Sequence, residues 1–460
     1  MVDGKRQIRF GTDGVRGIAN QTLRAGDVLR LGISYGRYIL SRKDRRPLVM
    51  GRDPRQSSAM FSAAFQAGMC SAGLDVLDAG TLSSPALAFL AGHLDVSGGV
   101  MISASHNPSH YNGVKLFDEH GQKLTAVVEL EIEELTASLD DSILASPTEV
   151  GQMRVLNSPL DAYLESLRSS IDGLTLDGLA VAIDTANGAA SAYSAEILRE
   201  FGVDVLSHNH DPNGSNINAN CGATHPEALR GIVLSTGVDV GICLDGDADR
   251  VVLLDERGRV LDGDFVKFIW TNHAQATGRL KNRTVVGTLM SNLGLEHALA
   301  GIGCDLVRTL VGDRYVYERM QEMGAVIGGE QSGHIIFRDF ARTGDGLLTA
   351  LQILAVMKSS GQRLSKLAEP MKKLPQVLKN VPIEPGCEWR TKAVVDAVSV
   401  WEERLSDSGR IVLRESGTEP LLRIMCECAE ERLAHEVVED LARTLVSVRQ
   451  LARSTGRPKE

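Results

Sequence analysis

The sequence predicts an α/β protein: three similar α/β units with mixed or parallel sheets, then a smaller α+β unit at the C-terminal end. Three observations carry this reading. Glycine is abundant, at 46 of 460 residues, while aromatic residues make up 4%; that balance suits many tight turns between strands and helices. Strand-like apolar runs alternate with helix-like stretches, the rhythm of βαβ construction. The rhythm restarts near residues 178 and 283, in pattern rather than in letters.

In the first unit RPLVMGRD (46–53) reads as a strand ending in a polar turn. Residues 57–72 read as a small-residue helix, and GLDVLDAG (73–80) as the next strand. After another helical stretch comes GGVMISAS (98–105), a buried strand running into small polar residues. Thr125 is the expected N-cap of a helix over 125–140, ahead of an apolar stripe. In the second unit GLAVAIDTANGAA (178–190) reads as strand, turn and helix start, with further strands in FGVDVLS (201–207) and VDVGICLDGDADR (238–250). The third contains RTVVGTLMSNLG (283–294), CDLVRTLVGDRYV (304–316) and AVIGGEQSGH (325–334), each expected to run strand, Gly-rich turn, helix. Boundaries are expected near 147–159 and at the hairpin-like DERGR (255–259), and 369–385 reads as a connector rich in Pro and Lys. The last unit ends in a helix with Leu433, Val437, Leu441, Leu445 and Val448 on one face, and 453–460 reads as a solvated tail. The resulting divisions are 1–154, 155–255, 256–370 and 371–460.

Apolar content of 43% and charged content of 23% are ordinary for a soluble enzyme, and the length is ample for a large core. A net charge of −10 argues against nucleic acid and anionic membranes as partners. An anionic substrate then requires arginines and lysines gathered locally. The seven cysteines are scattered, odd in number and without a C-x-x-C pair, which points to free thiols in a reducing compartment. MVDGKRQIRF lacks an apolar signal core and no apolar run is long enough to span a membrane, so the expected location is the cytoplasm.

In open α/β sheets, ligands bind at the carboxyl ends of strands. Each unit carries a polar turn in that position. In the first, Ser105 follows the strand beside His106, as a nucleophile or a phosphorylated residue, or simply in a loop of turn formers. A turn at Asn112-Gly113 allows a hairpin to return Lys115 toward Ser105, as an electrostatic partner or proton carrier. In the second, Asp245, Asp247 and Asp249 alternate at the end of an apolar strand. Carboxylates this close repel unless a cation sits among them, and few ligands with room for substrate oxygens favour Mg²⁺ over Ca²⁺. Arg250 next to them suits a phosphate. In the third, Glu330, Ser332 and His334 alternate, so an extended segment aims all three the same way; carboxylate, hydroxyl and imidazole suit sugar hydroxyls, and a polar loop with Gly hinges is the competing account. In the fourth, Arg414, Ser416, Gly417, Thr418 and Arg423 surround a turn able to form an anion nest flanked by two arginines; a plain Ser/Thr turn is the competing account. Near the start, GTDGVRG (11–17) puts Arg16 in a Gly-rich loop, either a phosphate contact or an exposed turn arginine.

Taken in order, these motifs resemble the α-D-phosphohexomutase family along essentially the full chain. Its S-H-N-P, D-G-D-x-D-R and G-E-x-S loops match Ser105 to Pro108, Asp245 to Arg250 and Gly329 to Ser332, and its phosphate loop matches Arg414 to Thr418. Ala248 stands where many relatives have glycine. The forms GTDGVRG, GGEQSGH and RESGTEPLLRIM resemble the branch of the family that acts on glucosamine phosphates. The resemblance implies four domains around a central cleft, closed by movement of the fourth. It implies interconversion of glucosamine 6-phosphate and glucosamine 1-phosphate, feeding UDP-N-acetylglucosamine and cell-wall synthesis. Ser105 is then the phosphoryl carrier, phosphorylated in the active form. One Mg²⁺ per chain sits on Asp245, Asp247, Asp249 and an oxygen on Ser105, and a sugar 1,6-bisphosphate serves as intermediate and primer. Arg16, Lys115 and Arg250, with His106 beside the carrier, serve the transferring phosphoryl group. Glu330, Ser332 and His334 hold the sugar, and Arg414, Ser416, Gly417, Thr418 and Arg423 grip the non-reacting phosphate. The expected partner is a hexosamine phosphate, with a homodimer as the expected assembly. The neighbouring alternative is a phosphomannomutase or phosphoglucomutase; a more distant one is a phosphatase with Asp245 as nucleophile, and a third is a non-catalytic phosphosugar sensor.

Overall fold

The computed structural model describes residues 8–140, 144–384, 388–415 and 420–454. They form two compact units: Met1–Thr288 with Cys304–Glu369, and Leu289–Gly303 with Pro370–Glu460.

The first unit holds three sheets. Its first stretch runs β1 (Val15–Ile18), α1 (Ala25–Ser41), β2 (Leu48–Arg52), α2 (Ser58–Ala72), β3 (Val76–Thr81), α3 (Ser84–His93), β4 (Gly99–Ile102), β5 (Tyr111–Phe117), α4 (Ala126–Ala137) and β6 (Met153–Val155). These strands make a six-stranded sheet in the order β1-β5-β4-β2-β3-β6. β2, β3, β4 and β6 are parallel neighbours, while β5 runs antiparallel to both β4 and β1. β4 is buried along its length, as a central strand covered on both faces must be. Thr125 caps α4 as expected, but Val127 and Leu130 are exposed there; Ile132 and Glu133 face inward.

The next stretch runs α5 (Asp161–Ser170), β7 (Ala180–Asp184), α6 (Ser194–Glu200), β8 (Asp204–His208), α7 (Glu227–Thr236), β9 (Val240–Leu244), β10 (Val251–Asp255) and β11 (Val260–Leu261), with sheet order β11-β10-β9-β7-β8. The helix expected to begin by residue 190 starts at Ser194 instead. Ala186 and Asn187 take positive φ, 54° and 48°, and Asp184 accepts the Ala186 N–H, so the chain turns before it winds.

Then come α8 (Gly263–Ala276), β12 (Thr284–Thr288), α9 (Leu293–Gly301), β13 (Asp305–Thr309), α10 (Asp313–Met323), β14 (Ile327–Gly329), β15 (Ile335–Phe337), α11 (Gly346–Ser360) and α12 (Leu364–Leu367). The sheet order is β13-β12-β14-β15. The turn after β14 leads to the antiparallel strand β15, not to the expected helix. The residues beyond that turn, Ile335-Ile336-Phe337, are β-branched and aromatic and pack as a buried strand.

In the second unit, β16 (Gln376–Pro382), α13 (Lys392–Leu405), β17 (Gly409–Glu415), β18 (Leu421–Cys428) and α14 (Glu431–Ser454) form an antiparallel sheet, order β16-β18-β17, with its helices. The expected connector over 369–385 therefore contains an edge strand, which tolerates Pro382 at its end. Val437, Leu441 and Leu445 are buried on α14 as the pattern predicts. α9 clusters with this unit, because Glu427 on β18 accepts hydrogen bonds from Leu293 N (3.1 Å) and Asn292 Nδ2 (3.2 Å) at its start. Six cysteines among the described residues are buried free thiols. No described helix is long and apolar enough to cross a membrane.

Candidate active site

All four motif loops join antiparallel strands: β4 to β5, β9 to β10, β14 to β15 and β17 to β18. In the first, Ser105 is fully buried and has φ +49°. That left-handed conformation costs a non-glycine residue about 1–2 kcal/mol. It is held by two side chains that the sequence did not single out. Arg55 Nη2 donates to Ser105 O and Asn107 O (both 2.8 Å), and its Nη1 to Pro108 O (2.5 Å) and Tyr111 O (3.1 Å). Asn218 Nδ2 donates to Ser105 O (2.8 Å) and Asn107 O (3.1 Å). Asp53 accepts from Arg55 Nε (2.8 Å) and Ser103 Oγ (2.7 Å), which keeps the buried guanidinium paired. The Ser105 hydroxyl donates to Asp245 Oδ2 at 2.7 Å and lies 3.3 Å from His106 Nδ1.

Asp245, Asp247 and Asp249 are buried, and each offers an oxygen within 4.8 Å of the others'. Gly246 lets their loop reach Ser105: a Cβ there would stand 2.6 Å from Ser105 O and 2.7 Å from Asn218 Nδ2. Ala248 takes φ +58°, which aims the flanking aspartates from one tight turn. Ser84 Oγ donates to Asp247 Oδ2. Burial, then the charges of Asp249 and Asp247, push the Asp245 carboxyl well above its usual range. The Asp247 and Asp249 Oδ1 atoms are buried without a hydrogen-bond partner among the described residues. Three close carboxylates, one of them driven toward protonation, with two orphaned oxygens, form a hard oxygen donor set that a divalent cation fits.

Lys115 comes back along β5, opposite Met101, so the hairpin forms, but the turn expected at Asn112-Gly113 is not there: both residues lie within β5, paired with β1, and the chain reverses over 103–110. Among the described residues its ammonium donates to Asp247 Oδ2 (2.7 Å) and Asp249 Oδ2 (2.9 Å), and it lies 3.2 Å from Asp13 Oδ2. Burial opposes its charge, but Asp13, Asp247 and Asp249 outweigh burial and hold its pKa well above the ordinary value. That suits an electrostatic partner rather than a proton carrier. His106 is the opposite case: burial, then Arg250 and Arg16, hold its pKa down to about 3, so the ring is neutral near pH 7. Arg250 lies beside the triad, its Nε 3.7 Å from Asp249 Oδ1 and its backbone N–H on Asp245 Oδ1 (3.2 Å).

Arg16 is not in a loop but on β1, opposite Gly113, with its guanidinium on Asp13 and on Asn107 Oδ1 (3.2 Å). The extended reading of Glu330, Ser332 and His334 is also corrected. Glu330 N and His334 O close a tight turn at 2.9 Å, with Gly333 at φ +95°, so the three side chains do not share one direction. Ser332 Oγ meets Glu330 Oε2 (3.3 Å), while the buried His334 turns its Nε2 to Gly344 N (3.2 Å) and Asp313 Oδ2 (3.3 Å). Asp13, Lys123 and Asp313 complete this charged network and, like Arg55, Asp53 and Asn218, were missed. Asp13, Asp53 and Asp313 lie inside runs read as turns without being singled out, while Arg55, Lys123 and Asn218 sit in stretches with no pattern of their own.

In the second unit Arg414 and Arg423 are directly opposite across β17 and β18, which places both on one face of the sheet. Ser416, Gly417 and Thr418 lie outside the described residues.

Comparison with known proteins agrees in family and fold. The family models for phosphoglucomutase/phosphomannomutase match in succession: α/β/α domain I over residues 7–142, domain II over 161–258, domain III over 262–374 and the C-terminal domain over 362–444. Proteins named phosphoglucosamine mutase from Paracoccus denitrificans and Cereibacter sphaeroides are 45% and 47% identical over 436 residues, covering 94% of this chain and 97% of each. That of Maricaulis maris is 45% identical over 96% of this chain and 99% of its own length. A crystal structure of a phosphoglucomutase/phosphomannomutase family protein from Burkholderia thailandensis superposes with TM-score 0.82 at 20% identity, covering 96% of this chain and 98% of that one. The Aspergillus fumigatus N-acetylphosphoglucosamine mutase, solved with GlcNAc-6P and magnesium, has TM-score 0.66 at 20% identity, with 96% of both chains covered. The chain belongs to the phosphoglucomutase/phosphomannomutase family and is a phosphosugar mutase.

Proposed function

We propose that this mutase interconverts glucosamine 6-phosphate and glucosamine 1-phosphate, with Ser105 as the phosphoryl carrier. The observation that carries the mechanism is the buried Ser105 hydroxyl, strained into the left-handed region and 2.7 Å from the first of three clustered aspartates. The relatives named phosphoglucosamine mutase, at 45–47% identity over nearly the whole chain, support the amino sugar as substrate.

Asp245, Asp247 and Asp249 hold one Mg²⁺ per chain in this reading. The ion supplies charge neutralisation for the transferring phosphoryl group. Lys115, Arg250 and Arg16 stabilise the same group from the protein side. Neutral His106, its Nδ1 3.3 Å from the Ser105 hydroxyl, helps to orient that hydroxyl. Glu330, Ser332 and His334 bind sugar hydroxyls. Arg414 and Arg423, with Ser416, Gly417 and Thr418 between them in sequence, grip the phosphate that is not reacting. A sugar 1,6-bisphosphate forms when phospho-Ser105 gives up its phosphoryl group, and turning it round returns the other phosphate to Ser105. The domains assigned to these tasks are 1–154, 155–255, 256–370 and 371–460.

Turnover of glucosamine 6-, glucose 6- and mannose 6-phosphate, with Mg²⁺ and a trace of the matching bisphosphate, tests the reading. The expected outcome is the highest kcat/KM for glucosamine 6-phosphate, and loss of at least about a thousandfold in kcat for Ser105→Ala with the fold retained. Preference for glucose or mannose would move the substrate to the neighbouring branch, and an active Ser105→Ala enzyme would remove the carrier.

A further inference from the structure

We propose that Lys123 is a positioning residue that fixes the sugar-binding hairpin relative to the phosphoryl-transfer cluster. The inference rests on the mutase reading above. Lys123 lies in the loop after β5, held by a bridge to Phe117. Its ammonium sits between two carboxylates, Asp13 Oδ1 and Asp313 Oδ2, the latter at 2.6 Å. The two carboxylates serve different parts of the site. Asp13 pairs with Arg16 and lies 3.2 Å from Lys115, which itself bonds Asp247 and Asp249. Asp313 opens α10, where the preceding Gly312 N–H donates to Glu330 Oε1 (3.0 Å) and Asp313 Oδ2 lies 3.3 Å from His334 Nε2.

One side chain is thus the shared counterion of both loops. Its side chain is 15% exposed, so water screens the pair only weakly. Burial disfavours the charge on Lys123, yet Asp13 and Asp313 more than compensate. Without that charge, Asp13 and Asp313 repel each other across the gap. The loops are close there: a Cβ on Gly312 would stand 3.1 Å from Thr12 Cγ2. A separate tie, Arg314 Nη1 to Glu129 Oε2 (3.0 Å) and Leu124 O (3.1 Å), keeps α10 docked. Loss of Lys123 therefore changes alignment before it changes the fold. His334 sharpens the point. Its Nε2 faces Gly344 N (3.2 Å) and Asp313 Oδ2 (3.3 Å), while its Nδ1 is a buried atom with no hydrogen-bond partner among the described residues. Nδ1 is the ring nitrogen left to meet the substrate, and the Lys123–Asp313 pair abuts the Nε2 side of the ring.

The test compares wild type, Lys123→Met and Lys123→Arg as full-length enzymes with Mg²⁺, following steady-state kinetics and the free 1,6-bisphosphate released per turnover. Lys123→Met is expected to raise KM for the sugar phosphate about tenfold, lower kcat less than about threefold, and release more bisphosphate. At saturating glucose 1,6-bisphosphate it should still form phospho-Ser105 within about threefold of the wild-type rate. Lys123→Arg, able to bridge two carboxylates, should restore KM and retention. Wild-type KM and bisphosphate release in Lys123→Met, or a fall in kcat alone, overturns the proposal. If Lys123→Met does not accumulate folded, Asp313→Asn makes the same test from the other end of the bridge. A wild-type enzyme that forms no phospho-Ser105 overturns the mutase mechanism, and this inference with it.

Discussion

At the scale of single residues, the reactive serine depends on a side chain that never touches substrate in this scheme. Arg55 is 2% exposed, and its guanidinium supplies bonds to the carbonyls of Ser105, Asn107, Pro108 and Tyr111. Those carbonyls turn inward because the loop bends sharply at Ser105, and buried carbonyls need donors. Arg55→Met keeps much of the volume but leaves Asp53 without its charge partner and the carbonyls without theirs. Removing one member of a buried pair costs about 3–5 kcal/mol. The expected result is a lower chemical-denaturation midpoint together with a loss of phospho-Ser105 formation. A variant with unchanged midpoint and normal phosphorylation would show that Asn218 and Ser103 suffice to hold the loop. The sequence could not reveal this residue, since Arg55 reads as an ordinary turn arginine after RPLVMGRD. Ser105, Lys115 and the aspartates were legible because the chemistry itself demands odd residues at strand ends.

At the scale of elements, the strand-ending motifs were legible, but the type of the next element was not. The SHNP, DGDADR and GEQSGH turns all lead into a returning antiparallel strand, and only the first was read as a hairpin. Short apolar runs such as VVLLD and IIF carry no periodicity that separates strand from buried helix. α11 shows how an element end adds a pH response. Its N-cap Asp345 is buried, accepts from Leu348 N (2.9 Å) and accepts a hydrogen bond from the Tyr163 hydroxyl on Oδ2 (2.9 Å). Burial outweighs these bonds and raises its pKa to about 6, from an ordinary 3.8. A carboxyl whose folded pKa is raised favours the fold in its protonated form. Its contribution is complete below about pH 4 and is lost as the pH rises through about 6. A shift of about two units corresponds to about 3 kcal/mol. Asp345→Asn keeps a capping oxygen and cannot ionise. The difference in stability between variant and wild type should therefore grow in the variant's favour from pH 4 to pH 7, measured by chemical denaturation. A pH-independent difference would mean that Asp345 titrates normally.

At the scale of the whole molecule, the order of four motifs made the family legible, while the anchoring of α9 to the C-terminal sheet was not. The sequence reading places 293–301 in the third α/β unit, within 256–370. Instead α9, the crossover between β12 and β13, clusters with the C-terminal sheet. Asn292 exchanges hydrogen bonds with Leu374, and one fully buried carboxylate adds four more bonds. Glu427 accepts from Asn292 Nδ2 (3.2 Å), Leu293 N (3.1 Å), Gln376 Nε2 (2.6 Å) and Arg410 Nε (2.6 Å). Nothing in CEC (426–428) advertises that role, because its partners come from three distant stretches of chain. Arg410 Nη2 adds a bond to Ser291 O (2.6 Å), so the arginine is itself fixed by the pair. Glu427→Ala would strand a partly buried guanidinium, two amides and the first N–H of α9, at a cost of about 1–3 kcal/mol. Hydrogen exchange should then quicken together in 293–301 and in 376–382, since both stretches lose the same anchor. Faster exchange in 376–382 with α9 still protected would show that the helix is held to this unit by its apolar contacts, with Glu427 serving the sheet alone.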